Sequence, residues 1–285
     1  MRPIESVLPA TRVAAGGPAE ETVSAAGLVM WRDGAGRFDS SGVRTTFRDR
    51  PGRLRVASGQ PAYVQAVLAD APVWYWKLNE LPGTLSAVNI GSNVGGTPAT
   101  ASIGANVVMG ANGVVPSIPA DKAAHFSGLN NSPDIITIPT VPVLSDANGQ
   151  SIEFWCNNQQ VAGDDVMPVA LATIGAQAYF RYHADGLSYP AYFEQTRHDS
   201  LVAVPISGIH HFVTTRKTGG SYTFYVDGAQ VAQVPAHAFG YDTAMYIGSR
   251  GVADALVWKG EIGHVSVYAK ELTAAQVLAH YNAGK

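Results

Sequence analysis

The chain has 285 residues, 46% of them hydrophobic, so it can bury the core of one large domain and still have a segment to spare. Its net charge of −3 argues against nucleic acid or an anionic membrane as the main partner. A lone cysteine, Cys156, excludes an internal disulfide and is expected to be a buried, inert thiol. No stretch approaches the roughly 18 apolar residues of a membrane span, and the start lacks the apolar core of a signal peptide, so we expect synthesis in a cytoplasm.

Residues 1–60 differ from the rest of the chain in charge and composition. They carry nine arginines, no lysine and six acids, a balance of +3, while the remainder has ten basic and sixteen acidic residues, a balance of −6. Strand-like pieces between Gly and Asp turns fit either a small solvated β array or an anchoring arm whose arginines pair with carboxylates on a partner. The candidate docking residues are Arg32, Arg37, Arg44, Arg48, Arg50, Arg53 and Arg55.

The rest of the chain, residues 61–285, is predicted to form one domain made mostly of strands. A short helix is expected over residues 61–69, because Pro61 suits a first helical turn and apolar residues follow at helical spacing. A loop from residue 82 to 104 is long enough to be functional. Strands are predicted near residues 73–78, 105–109, 123–126, 135–138, 151–156, 169–174, 178–183, 191–195 and 209–216.

Two patterns near the end of the chain are the clearest. Residues 222–234 read as a hairpin, because Asp227-Gly228 supplies the positive φ angles of a tight turn. After two more strands, Thr273 and Gln276 form a capping box for a final helix that Gly284 is expected to end. The fold class is therefore all-β, a two-sheet antiparallel sandwich with a short C-terminal helix and small β pieces in the N-terminal arm.

An ordered series of segments resembles the laminin-G-like, concanavalin A-like jelly roll. No single motif is specific, but the series runs in order from about residue 67 to 284 and so covers most of the chain. The matching segments are residues 69–80 with Gly83-Thr84, 125–131 with 135–139, 151–155, 210–212, 225–228, 246–248 and 260–268.

The opening phrase, residues 67–80, also resembles laminin-G-like domains in minor tail and other virion proteins of bacteriophages. That resemblance implies a non-enzymatic virion structural protein of the minor tail or tail-tip type, located in the extracellular phage particle. Its arm would bind other virion proteins, its jelly roll would display a carbohydrate or host-surface binding face, and it would form a homo-oligomer. Two alternatives stay open: a capsid decoration protein with the same parts, and a glycoside-acting enzyme.

The enzyme alternative is disfavoured by the spacing of acidic residues. Glucanases on this sandwich carry carboxylates in the order Glu-x-Asp-x-x-Glu, because a retaining glycosidase needs its acid and nucleophile close together. Here neither Glu153 nor Glu261 has an acidic neighbour at strand spacing, and the acidic residue nearest to Glu153 is Asp146, seven positions earlier. His210 and His211 should point to opposite faces of one strand, so they are interpreted as packed, hydrogen-bonded histidines and not as a zinc pair.

Calcium is the cofactor that the chain's loop oxygens would suit. Asn130, Asn131 and Asp134 share one loop, although plain turn residues that satisfy the local backbone are the favoured explanation. The chain also departs from the family where many relatives carry acidic residues, with Gly263-His264 in the penultimate strand and Asn89 after the opening Gly-Thr. These departures count against a family calcium site.

The best carbohydrate-binding cluster lies in residues 179–198. Tyrosine rings offer flat apolar faces to a sugar, while charged and imidazole side chains can bind its hydroxyl groups. Core packing is the competing explanation for these aromatic residues. The candidate binding residues are Tyr182, His183, Asp185, Tyr189, Tyr192 and Arg197.

Overall fold

The computed structural model describes residues 22–23, 29–32, 38–39, 60–92, 100–129, 134–138, 149–159, 165–171, 176–182, 188–194, 196–200, 202–204, 207–216, 220–235, 244–249 and 257–285. The chain divides into two compact units, Met1–Gly59 and Gln60–Lys285. The first unit contains a three-stranded antiparallel sheet of β1 (Thr22–Val23), β2 (Val29–Arg32) and β3 (Phe38–Asp39). Arg32 ends β2 opposite Phe38. The other predicted docking arginines, Arg37, Arg44, Arg48, Arg50, Arg53 and Arg55, lie outside the described residues.

The second unit is a sandwich of two eight-stranded antiparallel sheets with two helices. Its helices are α1 (Ala62–Ala69) and α2 (Ala274–Gly284). Its strands are β4 (Trp74–Trp76), β5 (Ser86–Ala87), β6 (Ala101–Ile103), β7 (Val108–Asn112), β8 (Lys122–Ser127), β9 (Ile136–Ile138), β10 (Gln150–Asn158), β11 (Asp165–Leu171), β12 (Ala176–Tyr182), β13 (Ser188–Glu194), β14 (Thr196–Asp199), β15 (Gly208–Arg216), β16 (Tyr222–Val226), β17 (Ala229–Val234), β18 (Met245–Ile247) and β19 (Lys259–Tyr268).

One sheet, here named the covered sheet, has the order β17-β16-β15-β10-β19-β8-β7, with β4 also paired to β19. The second sheet has the order β14-β13-β12-β11-β18-β9-β6-β5. The chain crosses between the sheets repeatedly, as in a jelly roll. The predicted all-β, two-sheet antiparallel sandwich is confirmed.

Alternation along β10 sorts its residues between two apolar cores. Ile152, Phe154 and Cys156 face the core between the sheets, as the sequence predicts, and the Cys156 thiol is buried there. Trp155 instead faces a second core, on the outer side of the covered sheet, which α1 and α2 close with Tyr63 and Val277. Because side chains alternate across a strand, β10 supports both layers at once.

Both helices begin and end for local reasons. Pro61 precedes α1, and the chain leaves the helix through Asp70 and Ala71, whose φ is 50°. Thr273 caps α2 by accepting from the Gln276 backbone N–H, and the Gln276 side chain completes the predicted capping box.

Gly284 is the last residue of α2, as expected, but it is itself helical and Lys285 is the C-cap. A Cβ at Gly284 would lie 2.5 Å from Trp155 Cζ2. The close packing of the end of α2 on the covered sheet therefore favours a residue without a Cβ at position 284.

The remaining comparisons between the predicted and the observed elements concern turns and strand ends. Asp227 and Gly228 have φ angles of 51° and 77°, which confirms the predicted hairpin turn. The strand predicted at 73–78 is shorter, because the chain leaves extended geometry at Leu78, with φ of 58°. The predicted loop from 82 to 104 contains β5 and β6, which pair through Ser86 and Ser102.

Candidate functional site

The structure brings the strands of the predicted carbohydrate cluster together at one edge of the second sheet. Tyr192 pairs with Ala178 and His198, so β12, β13 and β14 lie side by side. Ala178 also pairs with Val169, which is buried between the two sheets. Directly opposed residues share a face of a sheet, so Tyr192 occupies the face of the second sheet that carries Val169.

The same register divides the cluster between two faces. Tyr182 lies at an even spacing from Ala178 and shares that inner face. Tyr189 pairs with Arg181, and Arg197 pairs with Phe193, which places both on the opposite, outer face. His183 and Asp185 lie outside the described residues. The binding role of all six residues stays a prediction.

The predicted calcium loop is described at one residue, Asp134, since Asn130 and Asn131 lie outside the described residues. Asp134 Oδ2 accepts from the Ser127 backbone N–H at 2.6 Å, from the Ser127 hydroxyl at 2.7 Å and from the Gly128 N–H at 3.0 Å. Its buried Oδ1 has no hydrogen-bond partner in the described part of the chain. Within the described ranges, no three His, Cys, Asp or Glu residues gather as metal ligands. Calcium at this loop stays a prediction.

A buried carboxylate, Glu153, stands at the centre of the core between the covered sheet and the helices. Its Oε1 accepts from the Tyr63 hydroxyl at 2.9 Å and lies 2.8 Å from His211 Nε2. Its Oε2 accepts from the Tyr268 hydroxyl at 2.8 Å and lies 2.9 Å from His280 Nδ1. These four partners come from α1, β15, β19 and α2, so one carboxylate links both helices to two strands.

The charge of Glu153 is stabilised by its partners. Burial by itself would raise the pKa of Glu153, but His280 and the hydrogen bonds from His211 and His280 hold that pKa well below its usual range. Burial and the neighbouring carboxylate together raise the pKa of Tyr63 and of Tyr268. The tyrosines therefore stay protonated and donate, while Glu153 stays ionised.

His280 extends this network toward the surface. Its Nε2 lies 3.0 Å from Asp70 Oδ2, and Lys270 Nζ donates to Asp70 Oδ1 at 3.3 Å. Burial would lower the pKa of His280, but Glu153 and Asp70 outweigh it and raise that pKa. We name the set Asp70, Glu153 and His280 the helix clamp, because it joins α2 to the end of α1 and to β10.

A second buried chain of polar groups lies beside the helix clamp. His264 adopts φ of 54° where β19 bulges against β10, between Glu153 and Trp155. Its Nδ1 is 2.6 Å from the Tyr75 hydroxyl, and its Nε2 is 3.0 Å from Asp121 Oδ2. The bulge aims the ring of His264 into the core, where its relative exposure is 0%.

His210 and His211 point to opposite faces of β15, as predicted. His211 reaches Glu153, while His210 Nδ1 lies 2.7 Å from Asp227 Oδ2 in the hairpin turn. That hydrogen bond raises the pKa of His210, against the opposing effect of burial. The expectation of packed, hydrogen-bonded histidines is confirmed for both.

Glu153 and Glu261, the two carboxylates of the central strands, are not placed as a glycosidase pair. Glu153 and Glu261 face the same side of the covered sheet, but Glu261 pairs with Asn157, four residues along β10 from Glu153. Their Cα positions are thus about 13 Å apart along the strand, whereas the carboxyl groups of glycosidases lie roughly 5–9.5 Å apart. Glu261 is instead occupied by His125, Asn157 and Gln159. Sequence reasoning missed this group, whose members come together only through the strand register.

No helix in the described part of the chain is both long enough and apolar enough to cross a bilayer.

No curated protein matches this sequence. Solved structures with the same fold include domain 4 of an extracellular arabinanase from Geobacillus stearothermophilus, in complex with arabinotriose, at 17% identity and a TM-score of 0.55. The alignment covers 75% of this chain and 98% of that domain.

Two toxin binding domains are also similar. The binding domain of paraclostridial mosquitocidal protein 1 has 13% identity and a TM-score of 0.57, with 75% of this chain and 52% of that one covered. The binding domain of botulinum neurotoxin DC, in complex with SialylT, has 13% identity and a TM-score of 0.53, with 76% and 52% covered. This chain thus spans about half the length of those toxin domains, and at these identities the likeness shows the fold alone.

A family model described as the concanavalin A-like lectin/glucanase superfamily, of the laminin-G type, matches residues 130–278, more than half of the chain. The matched stretch contains β10 and its partners β15 and β19, the centre of the covered sheet. The chain therefore belongs to the concanavalin A-like lectin/glucanase superfamily.

Proposed function

We propose that this chain is a non-enzymatic binding module whose jelly roll holds carbohydrate at a surface. The observation that carries the proposal is the family membership, supported by a similar domain that was solved with arabinotriose bound. The hydrogen bonding of Glu153 and Glu261 supports a binding role over hydrolysis, because both carboxylates are already occupied by neighbouring side chains. Glu153 is fully buried and has four hydrogen-bond partners, so it has neither access to a glycosidic bond nor a free position to attack one.

An array of printed oligosaccharides tests the carbohydrate proposal. The full chain is expected to bind at least one glycan and to release no sugar from it. Tyr189→Ala should weaken binding, because Tyr189 occupies the outer face of the second sheet. Gln230→Ala, an exposed change on the covered sheet, is the control and should bind like the wild type. A blank array, or sugar release abolished by one carboxylate substitution, would overturn the proposal.

The virion role is the second part of the proposal, and it rests on the resemblance of residues 67–80 to bacteriophage tail proteins. Residues 1–60, with their arginines, would bind other virion proteins, and the module would stand on the particle as a homo-oligomer. Gold labelling of an epitope placed in residues 1–60, seen by electron microscopy of purified particles, tests this. Label at the tail supports the tail assignment, label on the head supports a decoration protein, and particles without label refute both.

A further inference from the structure

The outer face of the covered sheet carries an exposed band beyond the end of α2. Five directly paired residues cross five neighbouring strands here, which we name the Glu261 row: Val108, His125, Glu261, Asn157 and Ile209. Strands lie about 4.8 Å apart, so the row is about 19 Å long. Val108 is 57% and Ile209 43% exposed, and the His125 side chain is 32% exposed. Two apolar ends therefore flank a polar centre.

Glu261 organises this centre. His125 Nδ1 lies 2.9 Å from Glu261 Oε1, and Asn157 Nδ2 donates to Oε2 at 2.8 Å. Gln159, just after β10, donates to both oxygens at 3.1 and 2.9 Å. A carboxylate has about four lone-pair positions, and all of them are occupied here. Glu261 is thus a positioning residue, which fixes three neighbouring side chains without itself facing a ligand.

These three side chains leave three acceptor atoms over, beside one remaining N–H of Asn157. Asn157 and Gln159 use their amide nitrogens on Glu261, which leaves their carbonyl oxygens. In the tautomer of His125 whose Nδ1–H donates to the carboxylate, Nε2 carries a lone pair and is the third acceptor. No hydrogen bond between described residues uses these three acceptors. The site is thus prepared for a ligand that brings several donors at once.

We propose that the Glu261 row binds a neutral saccharide, whose adjacent hydroxyl groups donate to His125 Nε2, Asn157 Oδ1 and Gln159 Oε1. Exposed Val108 and Ile209 would contact the apolar C–H faces at the two ends. A neutral sugar fits better than an acidic one, because Glu261 is an acidic residue at the centre of the row. This inference rests on the proposed carbohydrate function and assigns it a second surface, on the opposite sheet from the tyrosine cluster.

The experiment combines the oligosaccharide array with site-specific measurements on the full chain. The best neutral hit is titrated by calorimetry, in EDTA, into the wild type and into His125→Ala and Asn157→Ala. Each loss of one hydrogen bond should weaken binding about fivefold to tenfold. Gln230→Ala, an exposed change on β17 of the same sheet, is the matched control and should bind like the wild type. Thermal unfolding confirms that every variant is folded.

Side-chain NMR supplies a readout that a purely structural role would not move. The ¹⁵N resonance of His125 Nε2, assigned by its loss in His125→Ala, should shift when the sugar is added and its lone pair accepts a hydroxyl. If both variants bind the sugar as tightly as the wild type and the His125 resonance does not shift, the Glu261 row is not the binding site. The proposed carbohydrate function would still hold. A blank array overturns both. Binding that vanishes in EDTA overturns the direct contact in favour of a cation.

Discussion

Glu153→Gln is the substitution that most directly tests how the helices are held. The new side chain has the same shape, but it loses the charge and places an N–H₂ group against hydroxyl and imidazole donors. Removing one partner of a buried, hydrogen-bonded charge network costs about 3–5 kcal/mol. For a unit of this size, that loss lowers the melting temperature by about 6–20 °C. Glu271→Gln, the same change at an exposed carboxylate, should stay within about 0.5 kcal/mol of the wild type.

The pH dependence of unfolding gives the sharper form of this prediction. The pKa of Glu153 is lowered in the folded state, so its contribution is complete above the unfolded value of about 4.3 and is lost as the pH falls through the folded value. The pKa of His280 is raised, so its contribution is complete below about 6.5 and is lost as the pH rises through the folded value. The wild type should therefore be most stable between about pH 4.5 and 6.5.

Urea unfolding followed by tryptophan fluorescence, repeated from pH 3 to pH 9, measures both effects, with Trp155 buried next to the network. Glu153→Gln should flatten the acid side of the profile, because the group that titrates there is gone. It should also flatten the alkaline side, because Glu153 is the largest of the causes that raise the pKa of His280. Parallel profiles for the wild type and Glu153→Gln, offset or not, would refute this account of the helix clamp.

Three further outcomes are expected. Cys156 should not react with a thiol reagent in the native protein and should react fully in urea, because it is buried and burial raises its pKa; labelling of the folded chain would contradict this. Gly284→Ala should destabilise by about 1–3 kcal/mol in urea titrations, through overlap with Trp155, while the exposed Asn282→Ala should not. Asp227→Asn should return the pKa of His210 toward its usual value in NMR titrations, and an unchanged pKa would be inconsistent with their hydrogen bond.

Local patterns in the sequence were sufficient to predict most of the fold. Alternation identifies β10, Asp227-Gly228 identifies the hairpin, and Thr273 with Gln276 identifies the start of α2, because each of these structures depends on neighbours in sequence. The short strands β5 and β6 were not predicted, since each has few residues and is defined by its partner across the sheet edge.

The polar groups of the interior could not be predicted in the same way. Glu153 reads as an isolated carboxylate in sequence, yet it meets His280 across 127 residues and His211 across 58. Such contacts depend on which strands become neighbours and on their register, and a shift of one residue would turn Glu153 into the other core. One signal was present: a glutamate between Ile152 and Phe154 in a core strand must find polar partners on whichever face it occupies.

The two helices bring the beginning and the end of the sandwich unit together. His280 bonds to Asp70, 210 residues earlier, and a Cβ at Gly284 would lie 3.1 Å from the ring of Tyr63. A unit whose entry and exit adjoin can be spliced into a surface loop of a carrier protein with short linkers and little distortion of the carrier. Such an insertion would connect the sandwich to the carrier through two adjacent linkers. The contact between α1 and α2 would hold the two ends of the inserted unit together.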